Sequence, residues 1–128
     1  LFNERFLFRE PGVRNEEILD IHLTNDKPTV LISPSMSHGV DLKDDLARFQ
    51  IIIKAPYLPT KDKRIERLMK DDFNWYSNKM LCSVIQSCGR GVRSKKDHCI
   101  TYILDGAVVE SVVNNKHKLP KYFIDRFL

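Results

Sequence analysis

Residues 86–93 combine a glutamine and two arginines at spacings that suit phosphate chemistry. Gln86, Arg90 and Arg93 lie four and three positions apart in the octad Gln-Ser-Cys-Gly-Arg-Gly-Val-Arg. If a helix leads into this segment, the three side chains share one face, because residues three and four apart are neighbours on a helix. A guanidinium keeps its charge and offers a rigid fork of donors to phosphate oxygens. The octad therefore predicts contact with a phosphate group.

A second polar segment, residues 33–42, follows the first apolar run of the chain. Within it, Gly39 permits close backbone approach and Asp41 supplies a carboxylate. Loops at strand ends are where α/β proteins place ligands, so this segment is a second candidate for nucleotide or phosphate binding. Asp41 has an ordinary alternative as a turn or helix-capping carboxylate.

The octad has ordinary alternatives too. Arg90 and Arg93 could be solvated cations near the carboxyl end of a helix, where positive charge is favourable in any case. Gln86 could be a surface amide. Five lysines, at positions 95, 96, 116, 118 and 121, fit an electrostatic track for DNA and fit an ordinary soluble surface equally well.

The elements that must position these residues alternate along the chain. Apolar, β-rich runs predict strands at 29–32, 49–53 and 99–104. Helical periodicity predicts helices at 61–70 and 73–88. Two further helices are expected, one capped by Asn15 and one after Leu119-Pro120. Strands that are apolar on both faces and separated by helices imply a parallel sheet covered on both sides, which is an α/β fold. Asp105-Gly106 could instead form a hairpin turn.

Composition sets broad limits. The 128 residues are enough for one domain with a real core, and the formal net charge of +4 is compatible with a polyanionic partner. No apolar run approaches the roughly 18–20 residues of a membrane span. The three cysteines form no C-x-x-C pair, which favours reduced structural thiols in an intracellular protein over disulfides or a metal site. The chain begins without methionine, which indicates a fragment of a longer protein.

Taken in order, these motifs resemble those of a known family. Gly39-Val40-Asp41-Leu42 after a strand and the Gln-x-x-Gly-Arg-x-x-Arg octad after a long helix are similar to motifs V and VI of superfamily 2 helicases. From about residue 29 to residue 128, the chain resembles the C-terminal RecA-like domain of the XPD/DinG branch. The expected fold is thus a RecA-like parallel sheet flanked by helices, the second helicase domain of a P-loop NTPase. Residues 1–128 would be this domain with its start missing.

The resemblance assigns roles to three groups of residues. Those expected to act on the γ-phosphate of ATP bound by a partner domain are Gln86, Arg90 and Arg93. Those expected to contribute to nucleotide binding are Gly39, Asp41 and Gly89. Those expected to lie nearest the DNA backbone are Ser35, Met36 and Ser37.

The resemblance also implies which parts lie elsewhere. The sequence has no Gly-x-x-x-x-Gly-Lys-Ser/Thr phosphate loop and no acidic box for magnesium. ATP and Mg²⁺ would therefore be bound mainly by an N-terminal RecA-like domain, and this fragment alone would bind neither and be inactive. The implied partners are that domain and single-stranded DNA, with no membrane. The expected location is intracellular: cytoplasmic in a bacterium or phage, nuclear in a eukaryote.

One other class of function stays open. A RecA-like domain can serve as a non-catalytic nucleic-acid-binding module or scaffold. A binding module of this kind would need exposed stacking aromatics, and a degenerate scaffold is expected to lose the arginines of the octad. The aromatic residues here fall mostly on predicted core stripes and both arginines are present, so the sequence favours an ATP-dependent DNA helicase.

Overall fold

Strands and helices alternate along the chain much as the apolar pattern predicts. A computed structural model of the protein describes residues 5–8, 10–34, 42, 44–92 and 97–127. These residues belong to two compact units, one within residues 1–40 and the other within residues 41–128. The strands are β1 (Phe6–Phe8), β2 (Val30–Ile32), β3 (Phe49–Ile52) and β4 (Ile100–Ile103). The α-helices are α1 (Asn15–Thr24), α2 (Lys63–Asp71), α3 (Phe73–Cys88), α4 (Gly106–Asn114) and α5 (Lys121–Ile124). Short 3₁₀ turns lie at Asp44–Leu46 and Lys116–Lys118.

The first unit pairs β1 with β2 in parallel, with Phe6 opposite Val30 and Phe8 opposite Ile32. The sequence reasoning missed β1. Helix α1 connects the two strands, but the prediction that Asn15 caps it is wrong: Arg14 holds the N-cap position and makes no side-chain cap. Its guanidinium instead pairs with Glu17, at 2.7 Å from Nε to Oε1.

The second unit pairs β3 with β4 in parallel, with Gln50 opposite Thr101 and Ile52 opposite Ile103. These four side chains are half-buried, and Ile52 and Ile103 pack against the core formed by α3 and α4. The alternate side chains on the other face stay about half or more exposed: Phe49, Ile51, Ile100 and Tyr102. The parallel α/β arrangement is confirmed, whereas covering of both faces is not seen in the part of the chain that the structure describes.

The core of the second unit lies between α3 and α4. Its most buried side chains, all under 9% exposed, are Met80, Leu81, Val84, Val108, Val112 and Phe123. Helix α3 begins where the Asp72 carboxylate accepts the backbone N–H of Trp75 at 3.0 Å. The buried Tyr76 one residue on donates its hydroxyl to the carbonyl of Leu58 at 2.7 Å. These contacts anchor the first turn of α3, and its buried side chains Met80, Leu81 and Val84 hold the rest of the helix in the core.

The carboxyl ends of β3 and β4 are joined through Asp105. Its carboxylate caps α4 by accepting the N–H of Ala107 at 2.9 Å and also accepts the N–H of Ala55, after β3, at 2.8 Å. The alternative of a hairpin at Asp105-Gly106 is therefore wrong, because the chain enters a helix at this point. Both backbone donors, that of Ala55 foremost, hold the pKa of Asp105 below its ordinary value.

Candidate functional site

The candidate site is the end of α3 together with the turn that follows it. The helix ends at Cys88 as predicted, and Gly89 keeps helical angles (φ −80°, ψ −6°) while its N–H donates to the carbonyl of Ile85 at 3.3 Å. The next N–H, of Arg90, donates to Ser87 at 3.2 Å, which tightens the chain into a turn. The helical face predicted for the octad therefore carries Gln86, whereas Arg90 stands one turn beyond, on the exit from the helix.

The exposure of the three described candidates fits a surface that meets a ligand. Gln86 and Gly89 are exposed and Arg90 is half-buried. The structure thus brings one amide, one backbone glycine and one guanidinium to a single helix end. Such a set can donate hydrogen bonds and positive charge to phosphate oxygens.

A side-chain amide ties this helix end to the sheet. Gln50, on the core-facing side of β3, donates from Nε2 to the carbonyl of Ser87 at 2.9 Å and to the hydroxyl of Thr101 at 2.7 Å. The same Ser87 carbonyl accepts the N–H of Arg90. Because a carbonyl has two lone pairs, this one oxygen links Gln50 of β3 to the turn at residues 89–91, called the arginine turn below.

An ion pair between buried Asp97 and half-exposed Arg48 holds the segment just before β4. The Asp97 side chain is 1% exposed and lies 2.8 Å from the guanidinium of Arg48, which precedes β3. Asp97 also accepts the N–H of His98 at 2.9 Å, and Arg48 makes a second pair with exposed Asp45 at 2.9 Å. Hydrogen bonding to Asp45 first, and then to Asp97, raises the pKa of Arg48. The contact between Arg48 and Asp97 links the starts of the two strands.

The thiols around the turn are structural. Burial raises the pKa of Cys88, partly offset by a hydrogen bond with Thr101, and burial also raises the pKa of Cys99 with a further contribution from Asp97. Both therefore stay protonated near neutral pH, where a thiol is a poor nucleophile. The prediction of free, structural cysteines holds for these two; Cys82 is also free but exposed on α3.

Six of the predicted site residues lie outside the described part of the chain. They are Ser35, Met36, Ser37, Gly39, Asp41 and Arg93. Their assignments stay predictions, as does any meeting of the 33–42 segment with the arginine turn.

The basic segment 116–121 lies on the surface of the second unit. Lys116, Lys118 and Lys121 are exposed, and an open cleft beside them is lined by Lys116, His117, Leu119, Lys121 and Ile124. Across residues 5–8, 10–34, 42, 44–92 and 97–127 there is no cluster of three or more metal-ligating side chains. Within the same ranges no helix is long and apolar enough to cross a membrane.

The family model of the helicase C-terminal domain matches residues 3–124. The chain belongs to this family. Two relatives are named ATP-dependent DNA helicase CHL1: one from Candida albicans is 30% identical over 89% of this chain, and one from Debaryomyces hansenii is 29% identical over 77% of it. The chain spans 17% and 15% of the lengths of these two proteins. In this helicase C-terminal domain, the carboxyl end of α3 and Arg90 form the candidate site.

Sequence reasoning missed two positions that shape this helicase domain's arginine turn. Gln50 is a polar residue at an inward position of an otherwise apolar strand, and that break in the pattern was a usable signal for a buried hydrogen-bonding role. Gly91 stands inside the octad beside Arg90 and is buried. A glycine that no turn type requires is a signal of close backbone approach.

Proposed function

We propose that this chain is the second motor domain of a longer ATP-dependent DNA helicase of the XPD/DinG type, and that it supplies arginines to ATP held by the N-terminal RecA-like domain. The observation that carries the proposal is the placement of Gln86, Gly89 and Arg90 together on the accessible end of α3, in a chain of the helicase C-terminal family. The two relatives are named as DNA helicases, which supports DNA over RNA as the nucleic acid.

The chemistry of the donors fits a phosphoryl group as substrate. During phosphoryl transfer, negative charge spreads over the equatorial oxygens of the γ-phosphate, and a guanidinium placed there lowers the barrier. Arg90, with Arg93, would provide this charge, and Gln86 would add a neutral donor. Removal of such an arginine typically costs about 10³–10⁵ in turnover.

Rigid attachment of the arginine turn supports this role. Placing a charge costs least when the backbone is already in position before the ligand arrives. Here the turn is held by the backbone bonds of Gly89 and Arg90 to the last turn of α3, and by Gln50 through the Ser87 carbonyl. The backbone of Arg90 is therefore held in place relative to the sheet before ATP arrives.

The described residues include no cluster of three or more metal-ligating side chains. The proposal assigns Mg²⁺ and the ATP phosphates mainly to the N-terminal domain, as the resemblance implies. Gly39, Asp41 and residues 35–37 would contribute to the nucleotide cleft and to the DNA backbone, respectively.

The split site explains how hydrolysis would become movement. Nucleotide bound on one domain and arginines on the other would favour a closed arrangement around single-stranded DNA, and hydrolysis would release it. The proposed location is intracellular, and nuclear if the source is a eukaryote like the yeasts of the two relatives.

Steady-state ATP hydrolysis by the full-length protein, with and without single-stranded DNA, tests the proposal. Arg90→Ala and Arg93→Ala should each reduce DNA-stimulated turnover by about 10³ or more, since 10³ is the lower bound for an arginine finger. Arg67→Ala is the matched control, because Arg67 is 85% exposed on α2 and pairs only at 3.7 Å with Asp71. Wild-type protein with no DNA-stimulated hydrolysis would favour the alternative of a non-catalytic RecA-like scaffold or nucleic-acid-binding domain.

A further inference from the structure

Gly91, the residue after Arg90, lies against the segment that leads into β4. Gly91 is buried, and a Cβ added to it would lie 2.5 Å from both the Cβ and the Sγ of Cys99. It would also lie 3.3 Å from the carbonyl oxygen of Ala47. Because protein interiors are close-packed, no side chain fits at position 91 unless the backbone of the turn or of residue 99 moves.

Backbone conformation does not account for this glycine. Among the described glycines, the one with positive φ is Gly12, at 90°. The φ of Gly91 therefore lies outside the left-handed region that favours glycine. The neighbouring Gly89 differs, since a Cβ there would meet carbonyl oxygens at 3.7 and 3.8 Å, which are ordinary contacts. The need for glycine at position 91 is thus spatial; it is created mainly by Cys99, with the Ala47 carbonyl oxygen as the lesser contact.

We propose that Gly91 and Cys99 form a size-matched pair that seats the arginine turn against the start of β4, which makes Gly91 a positioning residue for Arg90. The inference rests on the proposed function. Relieving the clash at 2.5 Å requires a shift of about 1 Å next to Arg90, and a misplacement of this size can cost about 10² in rate. On the opposite side of the turn, the hydrogen bond from Gln50 to the Ser87 carbonyl resists the shift.

A compensating exchange in the full-length protein tests the pair. Gly91→Ala should lower DNA-stimulated ATP turnover by about 10–10², with little change in KM for ATP. Cys99→Gly removes both clashing atoms, so the double variant Gly91→Ala/Cys99→Gly should recover to within about threefold of Cys99→Gly alone, as expected for residues coupled by direct contact. Gly106→Ala is the matched control, because an added Cβ there meets nothing within 4 Å.

Hydrogen exchange over residues 84–104 gives a readout that does not need ATP. Gly91→Ala should accelerate exchange in this stretch and the double variant should restore protection, because local opening reports local packing.

Full turnover in Gly91→Ala would overturn the inference, and so would a folded double variant that stays as slow as Gly91→Ala. If wild-type protein shows no DNA-stimulated hydrolysis, the proposed function and the positioning role both fail, while the exchange pattern still supports or overturns the packing pair. If Gly91→Ala does not fold, recovery of folding and turnover in the double variant supports the pair, and no recovery overturns it.

Discussion

Gln50→Leu should loosen the carboxyl end of α3 from the sheet. The substitution keeps a side chain of similar size on the core face of β3 but removes two hydrogen bonds, to Ser87 at 2.9 Å and to Thr101 at 2.7 Å. A neutral hydrogen bond contributes about 0.5–1.5 kcal/mol, so removing both amounts to about 1–3 kcal/mol. The Ser87 carbonyl keeps its bond from Arg90, and leucine buries more apolar area than the amide. These effects bring the expected net destabilisation to about 1–2 kcal/mol.

Chemical denaturation of this chain, followed by circular dichroism, measures the free energy of unfolding directly. The control is Asn74→Leu, which makes a similar change from amide to leucine at an exposed position of α3 and should stay within about 0.5 kcal/mol of wild type. A Gln50→Leu variant as stable as the control would refute the reasoning that this amide holds the helix end. An unchanged m-value would confirm that the change lies in stability rather than in the compactness of either state.

Three further predictions concern charge and thiols. Asp105→Asn should be less stable than wild type above pH 3.8, the ordinary carboxyl pKa, because the backbone donors stabilise the ionised carboxylate. The difference in the free energy of unfolding should close as the pH falls through the lowered pKa of Asp105, where the carboxylate is protonated in the folded protein too. Unfolding titrations between about pH 2 and pH 6 measure this. Cys82, which is exposed, should react with an aromatic disulfide reagent faster than the half-buried Cys88 and Cys99, whose raised pKa values also slow the reaction; equal rates would contradict this difference. Replacing the three lysines of segment 116–121 by glutamine should lower the salt dependence of single-stranded DNA binding by about 0.7 for each phosphate that the lysines neutralise, whereas an unchanged slope would mark an ordinary surface.

Helix α3 shows what the sequence could predict. Its bounds follow from local signals that agree: a capping carboxylate at Asp72, apolar residues at helical spacing, and Gly89 at the end. The position of the octad, residues 86–93, at the carboxyl end of α3 was predictable from the same local signals.

Elements that depend on distant partners were harder to predict. Strand β1 has three residues, and nothing local distinguishes it; it is a strand because residues 30–32 pair with it. Asp105-Gly106 is typical of a hairpin turn, but capping of α4 and the N–H of Ala55, fifty residues away, decide the outcome. The roles of Gln50 and Gly91 are likewise created by tertiary contacts with Ser87 and Cys99.

The central claim is that Arg90 acts on the transition state of ATP hydrolysis rather than on ATP binding. Single-turnover hydrolysis and ATP affinity should be measured together, in the full-length protein saturated with single-stranded DNA, for wild type, Arg90→Ala and the exposed control Arg67→Ala. The account predicts that Arg90→Ala keeps ATP affinity within about threefold and lowers the hydrolysis rate by about 10³ or more. Hydrolysis by Arg90→Ala at the rate of the control would contradict it.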